Sequence, residues 1–194
     1  MSGEVLPLLA LLAAPPPPLE EVVGKIPDAV VDLRYATADN FMKKQVYPKE
    51  ARCLLVAEAL EKLTAAAKAL RAKGFRLKLW DCYRPHSVQY ELWKVVSTPG
   101  LVADPKKGSQ HNRGAAVDLT VVTLEGKEVE MPTGYDDFSK ASRHAYQGGT
   151  EQSRKNRALL AEAMEAAGFK RNPMEWWHWE LPDAVKFPLR DEPF

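Results

Sequence analysis

The chain has few of the features that would place it in a specialised class of protein. Only two of its 194 residues are cysteines, which is too few for a small scaffold built from disulfides. Its 27 Lys and Arg residues against 26 Asp and Glu residues leave a formal net charge of +1, so no overall field favours a phosphate backbone. No apolar run reaches the roughly eighteen residues of a membrane-spanning helix. We therefore expect neither a nucleic-acid partner nor a membrane span.

The composition that remains is that of an ordinary globular domain. Hydrophobic residues make up 45% of the chain and charged residues 27%. A length of 194 residues fits one domain with a single core. We expect an N-terminal arm over residues 1–19, followed by one domain over residues 20–194. The sequence leaves the oligomeric state open.

The predicted arm combines an apolar stretch, residues 5–14, with a run of four prolines, and no Lys or Arg precedes Lys25. A secretory signal has a basic start, an apolar middle and small residues at the cleavage site, whereas here Glu4 occupies the start. Two interpretations stay open, a residual export signal and a flexible arm stiffened by polyproline geometry. The export signal would place the protein in the periplasm or cell envelope, which we favour over the cytoplasm.

Hydrophobic periodicity predicts a mixture of helices and strands. Three-four spacing of apolar residues predicts helices over residues 49–73, after Pro85 and over 153–167. Alternation predicts strands over 75–80 and 115–122, a hairpin turn at Glu125 and Gly126, and short strands over 169–171 and 176–181. Because strict βαβ repetition is missing, the predicted fold class is α+β: an antiparallel sheet flanked by helices, with a metal site at the sheet.

Two of the four histidines, His111 and His178, have neighbours that favour metal binding. With Asp118 they make two imidazoles and one carboxylate, the ligand set of a catalytic Zn²⁺ with an open fourth position. Gly114 lies between His111 and Asp118 and would let the chain turn so that both reach one ion. Each histidine taken alone is more often a structural or surface residue, and it is the joint pattern that predicts zinc.

Two further residues suit hydrolysis at such a site. Glu175, three positions before His178, could act as a general base on a water molecule without being a ligand. Arg84, between a predicted strand and a predicted helix, is a permanent cation able to stabilise an oxyanion. Taken singly, the first would be a solvated charge, the second an ordinary strand-end cation, and the neighbouring tryptophans plain core: Trp176, Trp177 and Trp179.

These residues resemble the family of zinc-dependent D-Ala-D-Ala dipeptidases, which includes the vancomycin-resistance dipeptidase. Its signature, Ser-x-His-x-x-Gly-x-Ala-x-Asp followed by Glu-x-x-His, is matched at every position by residues 109–118 and 175–178. The resemblance also covers residues 35–41, 80–85 and 131–138 and extends over roughly 22–194.

The resemblance implies one Zn²⁺ per chain held by His111, Asp118 and His178, with Glu175 as general base and Arg84 stabilising the tetrahedral intermediate. It further implies that Asp136 binds the free ammonium of the substrate and that Tyr35 and Ser109 line the pocket. The implied substrate is D-Ala-D-Ala or a related D-amino-acid dipeptide. Asp136 could instead be a turn residue, with its neighbour Asp137 as the ammonium ligand.

Two rival functions and one structural question remain open at this point. The same zinc site would serve a D,D- or L,D-carboxypeptidase acting on peptidoglycan stem peptides. A non-catalytic, zinc-stabilised binding module is the other rival, although such a module has no need of a base at position 175. The cysteines, Cys53 and Cys82, would form either a disulfide or two buried thiols.

Overall fold

The computed structural model describes residues 16–98 and 100–194 as one α+β domain. Most of the predicted arm lies outside these residues, and its boundary at residue 20 stays a prediction. No helix in the described ranges is long and apolar enough to cross a bilayer. The strands are β1 Leu19–Glu21, β2 Val30–Val31, β3 Leu54–Val56, β4 Phe75–Asp81, β5 Ala116–Thr123, β6 Lys170–Asn172 and β7 Glu175–Glu180; the helices are α1 Ala57–Ala72, α2 His86–Val95 and α3 Glu151–Ala166.

The main sheet has five strands in the order β2-β4-β5-β7-β6. Strands β4, β5, β7 and β6 pair antiparallel, as the sequence predicts. The expectation of a wholly antiparallel sheet is wrong at one edge, because β2 runs parallel to β4. The chain between β2 and β4 contains α1, and a helical crossover of this kind is what joins parallel strands. At two residues, β2 is too short to show a period in the sequence.

The first helix is shorter than its apolar spacing predicts, since it begins at Ala57 instead of residue 49. The preceding segment Leu54–Val56 is fully buried and forms β3, which pairs antiparallel with β1 in a second, two-stranded sheet. The backbone N–H of Val56 also donates to the carbonyl of Gly114, and that of Tyr83 donates to the carbonyl of Leu54. Backbone partners far away in the sequence therefore override the local helical pattern.

The remaining elements agree closely with their predicted positions. Helix α3 begins after Thr150, whose side-chain oxygen accepts a hydrogen bond from the backbone N–H of Ser153, a standard N-terminal cap. The predicted hairpin is reduced to a turn. The N–H of Thr123 donates to the carbonyl of Lys127, and one isolated bridge follows in place of a second strand.

The core lies between the sheet and the helices α1 and α3, which also pack against each other. Helix α1 buries Leu60, Leu63 and Leu70, the stripe that its sequence spacing predicts. Strand β7 buries three tryptophan side chains almost completely: Trp176, Trp177 and Trp179. Such large buried rings give β7 a rigid setting, which matters because the same strand carries Glu175 and His178.

A disulfide joins Cys53 and Cys82, whose Cα atoms are 5.2 Å apart and which are separated by 29 residues in sequence. Of the two alternatives for the cysteines, a disulfide or two buried thiols, the structure has the disulfide. The bond ties the residue before β3 to the residue after β4, so it anchors the chain just ahead of Arg84.

Replacing both cysteines by serine should lower the free energy of unfolding by about 3 kcal/mol, because the bond restricts a loop of about thirty residues in the unfolded chain. Denaturant unfolding of the variant and the parent protein measures this. Intact-mass analysis after alkylation provides the control. Two thiols that alkylate freely in the native, air-purified protein would contradict the bond.

Candidate active site

Strand register brings three polar side chains together on one face of the sheet. Asp118 of β5 lies directly opposite His178 of β7 on one side and opposite Asp81 of β4 on the other. Residues directly opposite each other on paired strands extend their side chains to the same face. Three acidic or imidazole groups are therefore neighbours although they are far apart in sequence.

His111 joins this group from the loop before β5. It begins a short helical turn, His111–Arg113, that ends at Gly114 with φ 65°. This positive φ favours glycine, and a Cβ atom at position 114 would also lie 2.5 Å from Cδ2 of Leu19, so that side chain would have to move. The turn that the sequence predicts at this glycine is confirmed.

Donor atoms of His111, Asp118 and His178 all lie within 4.8 Å of one another, and all three residues are buried. Nε2 of His111 is 3.1 Å from Nδ1 of His178 and 3.3 Å from Oδ1 of Asp118. Nδ1 of His178 is 2.9 Å from the same Oδ1. The predicted ligand set is thus one buried cluster that could hold a metal ion.

The outer nitrogen of each imidazole faces an oxygen acceptor. Nδ1 of His111 lies 2.7 Å from the carbonyl of Cys82, and Nε2 of His178 lies 3.3 Å from Oε2 of Glu180. With the proton on the outer nitrogen, the inner nitrogen presents its lone pair to the cluster, as in carboxylate–histidine–metal arrangements. Two lone pairs and a carboxylate this close repel one another unless a cation lies between them. The donor set therefore fits a metal ion.

The pKa shifts of Asp118 and His178 also show that the cluster favours positive charge. Burial alone would raise the pKa of Asp118, but the charge and hydrogen bonds of His111 and His178 outweigh burial and lower it. Burial would lower the pKa of His178, yet hydrogen bonds to Asp118 and Glu180 raise it to about 10.

Glu175 lies at the start of β7 and lines the same cavity as the cluster. Its Oε2 accepts a hydrogen bond of 2.9 Å from Nδ2 of Asn172, which orients the carboxyl group. Burial raises its pKa to about 8. A carboxyl group with a pKa near neutrality can both take up and release a proton during a reaction.

Arg84 is buried just after β4, where its guanidinium is held on three sides. Nε and Nη2 donate to Oδ2 of Asp81 at 3.1 and 2.6 Å, and Nη1 donates to Oε1 of Gln89 at 2.8 Å. The ring centroid of Tyr35 lies 5.3 Å from the guanidinium carbon. Three of the five N–H groups are thereby used, which leaves donors for an anionic oxygen in the cavity.

The cavity has a volume of about 290 Å³, near the lower end for small-molecule sites. Asp136 lines it, with φ 56°, and Oδ2 accepts from the backbone N–H of Phe41 at 3.0 Å. Burial raises the pKa of Asp136 to about 7. Asp137, the alternative residue, does not line this cavity, and its carboxylate instead caps the backbone N–H of Ser139.

The other two predicted pocket residues, Tyr35 and Ser109, also line the cavity and are buried. The hydroxyl of Tyr35 points at Oδ1 of Asp136, at 3.4 Å. All eight predicted site residues therefore meet in one place.

Comparison with known proteins agrees with this arrangement. A family model described as D-Ala-D-Ala dipeptidase matches residues 16–193. The chain is 38% identical to the D-alanyl-D-alanine dipeptidase of Escherichia coli K12, over 87% of this chain and 86% of that protein. It is 33% identical to the D-alanyl-D-alanine dipeptidase of Enterococcus faecium, over 84% of this chain and 87% of that protein.

This chain belongs to the D-Ala-D-Ala dipeptidase family. The resemblance predicted from the signature residues is confirmed, and the protein is a peptidase. A non-catalytic binding module is thereby set aside. This dipeptidase-family chain carries the signature on a loop, the strand β5 and the strand β7, which meet at one cavity.

Sequence reasoning missed the residues that hold the site in this family member. Asp81 is completely buried, orients Arg84 and accepts a hydrogen bond from the hydroxyl of Tyr47 at 2.8 Å. Tyr135 donates to Oδ2 of Asp118 at 2.9 Å. A signal existed for Asp81, an acidic residue at the end of an apolar strand and three positions before Arg84. None existed for Tyr135, whose partner is 17 residues away in sequence.

Substituting Asp81→Asn should destabilise the protein by about 3–5 kcal/mol, because Arg84 would remain buried with its charge uncompensated. Denaturant unfolding at neutral pH measures the change. Asp183→Asn is the matched control, since its partner Lys186 is solvent-exposed and the variant should unfold at nearly the same denaturant concentration as the parent protein. Equal, small losses in the two variants would show that Arg84 does not depend on Asp81.

Proposed function

We propose that the protein hydrolyses D-Ala-D-Ala, or related D-amino-acid dipeptides, with one bound Zn²⁺ and Glu175 as general base. The observation that carries the proposal is the buried His111–Asp118–His178 cluster sharing one small cavity with Glu175 and Arg84. The substrate follows from the relatives named D-alanyl-D-alanine dipeptidase. The open fourth position expected of a three-ligand zinc site supports a catalytic role for the metal.

The chemistry divides between the metal and the side chains of the cavity. A Zn²⁺ bound at the cluster would polarise the peptide carbonyl and lower the pKa of a water molecule. Glu175 takes a proton from the attacking water molecule while the water oxygen forms a bond to the carbonyl carbon. Arg84 donates to the carbonyl oxygen as negative charge develops on it. Glu175 then passes its proton to the amine that leaves when the C–N bond breaks.

Asp136 would bind the ammonium group at the free amino terminus of the substrate. Its partly buried carboxylate, steadied by Tyr35 and the N–H of Phe41, offers the negative charge that an ammonium group needs. An ammonium bound there would keep this carboxyl group ionised. Ser109, next to the loop of His111, completes the wall of the dipeptide site.

One observation favours the carboxypeptidase alternative. A second cavity, of about 510 Å³, shares Phe41 and Asp136 with the first. It offers room for the preceding residues of a peptidoglycan stem peptide if Asp136 does not bind an ammonium group. Substrates with and without a free amino terminus distinguish the two functions.

The protein should contain about one Zn²⁺ per chain, and either His111→Ala or His178→Ala should remove it, because each takes away one of three ligands. Elemental analysis after dialysis measures the content. His144→Ala is the control, since that imidazole packs against Trp179 and is not part of the cluster. Full zinc occupancy in either ligand variant would show that the site is wrongly assigned.

Glu175→Gln should lower kcat by about 10²–10⁴ while zinc stays bound, because the amide cannot accept the proton from water. Steady-state kinetics and metal analysis of the same sample test this. Glu165→Gln, at an exposed pair with Arg171, should change neither quantity. A Glu175→Gln enzyme with near-normal kcat would rule out the general-base role.

N-acetylation of D-Ala-D-Ala should lower kcat/KM several-hundred-fold or more, because the carboxylate of Asp136 would lose its ammonium partner at a cost of about 3–5 kcal/mol. Asp136→Asn should reduce the ratio of kcat/KM for D-Ala-D-Ala to kcat/KM for its N-acetyl form, and Asp137→Asn should leave that ratio unchanged. Comparable rates on both substrates in the parent enzyme would favour the carboxypeptidase. A large ratio that Asp136→Asn leaves intact would place the ammonium contact elsewhere.

A further inference from the structure

Gln89 lies in the first half of α2 with its side chain completely buried. Its Oε1 accepts a hydrogen bond of 2.8 Å from Nη1 of Arg84, and its Nε2 donates one of 2.8 Å to the backbone carbonyl of Ala103. A guanidinium can only donate and a carbonyl can only accept, so one orientation of the amide satisfies both partners. Gln89 therefore joins Arg84 to a second part of the chain through a single, fixed side chain.

That second part of the chain, residues 100–103, is one wall of the cavity that contains the metal cluster. It belongs to no helix or strand of the described ranges. The backbone N–H groups of Leu101 and Val102 donate to the carbonyl of Thr98 at 3.1 and 3.4 Å, which closes a turn within the segment. The hydrogen bond from Gln89 to the carbonyl of Ala103 ties this wall to α2, and so fixes the spacing between the wall and Arg84.

The charge of Arg84 is the second consideration. In the described part of the chain, Arg84 is the only Lys or Arg residue that lines the cavity, while acidic side chains such as Asp136 and Glu175 line it too. Asp81 already balances its charge and accepts two of its hydrogen bonds. An amide oxygen holds the third side of the guanidinium without adding negative charge. A carboxylate in place of Gln89 would weaken the attraction of the guanidinium for a developing oxyanion.

We propose that Gln89 is a positioning residue for the reaction: its neutral amide fixes the guanidinium of Arg84 relative to the cavity wall at Ala103 and leaves the charge of Arg84 available to the oxyanion. The inference rests on the proposed dipeptidase function. Gln89 does not line the cavity itself, so it acts through Arg84. Its substitution should therefore affect the transition state more than the binding of the substrate.

Two substitutions separate the two parts of this role. Gln89→Met removes both hydrogen bonds without adding charge, and kcat for D-Ala-D-Ala should fall about tenfold with little change in KM. Gln89→Glu keeps an acceptor for Arg84 but adds a carboxylate, and kcat should fall about a hundredfold. A phosphinate analogue of the dipeptide, whose oxygens imitate the oxyanion, should lose affinity by similar factors. Steady-state kinetics and inhibition constants measure both effects.

A double-mutant cycle tests whether Gln89 acts through Arg84. In an Arg84→Ala background the guanidinium is gone, so Gln89→Met should lower the remaining kcat by less than about twofold. The same substitution should lower kcat about tenfold when Arg84 is present. Equal tenfold falls in the two backgrounds would overturn the positioning role.

Stability and metal content are measured on the same samples, because Gln89→Met leaves two buried polar groups without a partner and should lower the melting temperature. Zinc content should stay at the parental value. Gln152→Met is the matched control on α3, where the amide donates to Oδ1 of Asn156 at 2.8 Å, and it should change neither kcat nor the affinity for the phosphinate. A lower melting temperature with parental kcat in the folded, zinc-loaded variant would show that Gln89 is only structural, and would overturn the proposal.

The remaining outcomes distinguish this inference from the function on which it rests. A kcat of Gln89→Glu equal to or above that of Gln89→Met would overturn the part assigned to the neutral charge of the amide. Parental kcat in both variants would overturn the whole role of Gln89 and leave the proposed function standing. A zinc-loaded parent enzyme that hydrolyses no D-amino-acid dipeptide would overturn the proposed function, and this inference with it.

Discussion

The register of strands β4, β5 and β7 is the constraint on which the site depends. It aligns Asp81, Asp118 and His178 in one row across the sheet. A slip of one residue between β5 and β7 would turn one of the two facing side chains to the other face and leave the cluster without a ligand. Both faces of β5 and β7 are buried, so such a slip would also disrupt the packing of the tryptophans of β7 and of the apolar residues of β5.

Several charged and polar side chains of the site are buried, and each needs a hydrogen-bond or ion-pair partner to be stable there. Asp81 neutralises Arg84, while the carbonyl of Cys82, next to the disulfide, orients His111. The hydroxyl of Tyr135 donates a hydrogen bond to Asp118 and so orients its carboxylate. Elements from across the domain therefore support the site, and the two imidazoles and the carboxylate of the cluster could hold a metal ion.

Short-range patterns predicted the parts of this structure that depend on short-range causes. The stripe of α1 and the alternation of β4 are visible in sequence because each reflects one face buried along a single element. The signature spacing around His111 and His178 likewise predicted residues that the fold brings together. Leu54–Val56 has helical spacing but forms a strand, because its partners are β1 and Gly114. The parallel pairing of β2 and the hydrogen bond from Tyr135 to Asp118 also arise from distant contacts, for which no local pattern exists.

The most direct test of this account is a crystal structure with a phosphinate analogue of D-Ala-D-Ala, using diffraction data collected on both sides of the zinc absorption edge. One anomalous peak should lie between Nε2 of His111, Nδ1 of His178 and the carboxylate of Asp118. The phosphinate should lie between Glu175 and Arg84. Zinc found elsewhere, or an analogue bound away from these two residues, would contradict it.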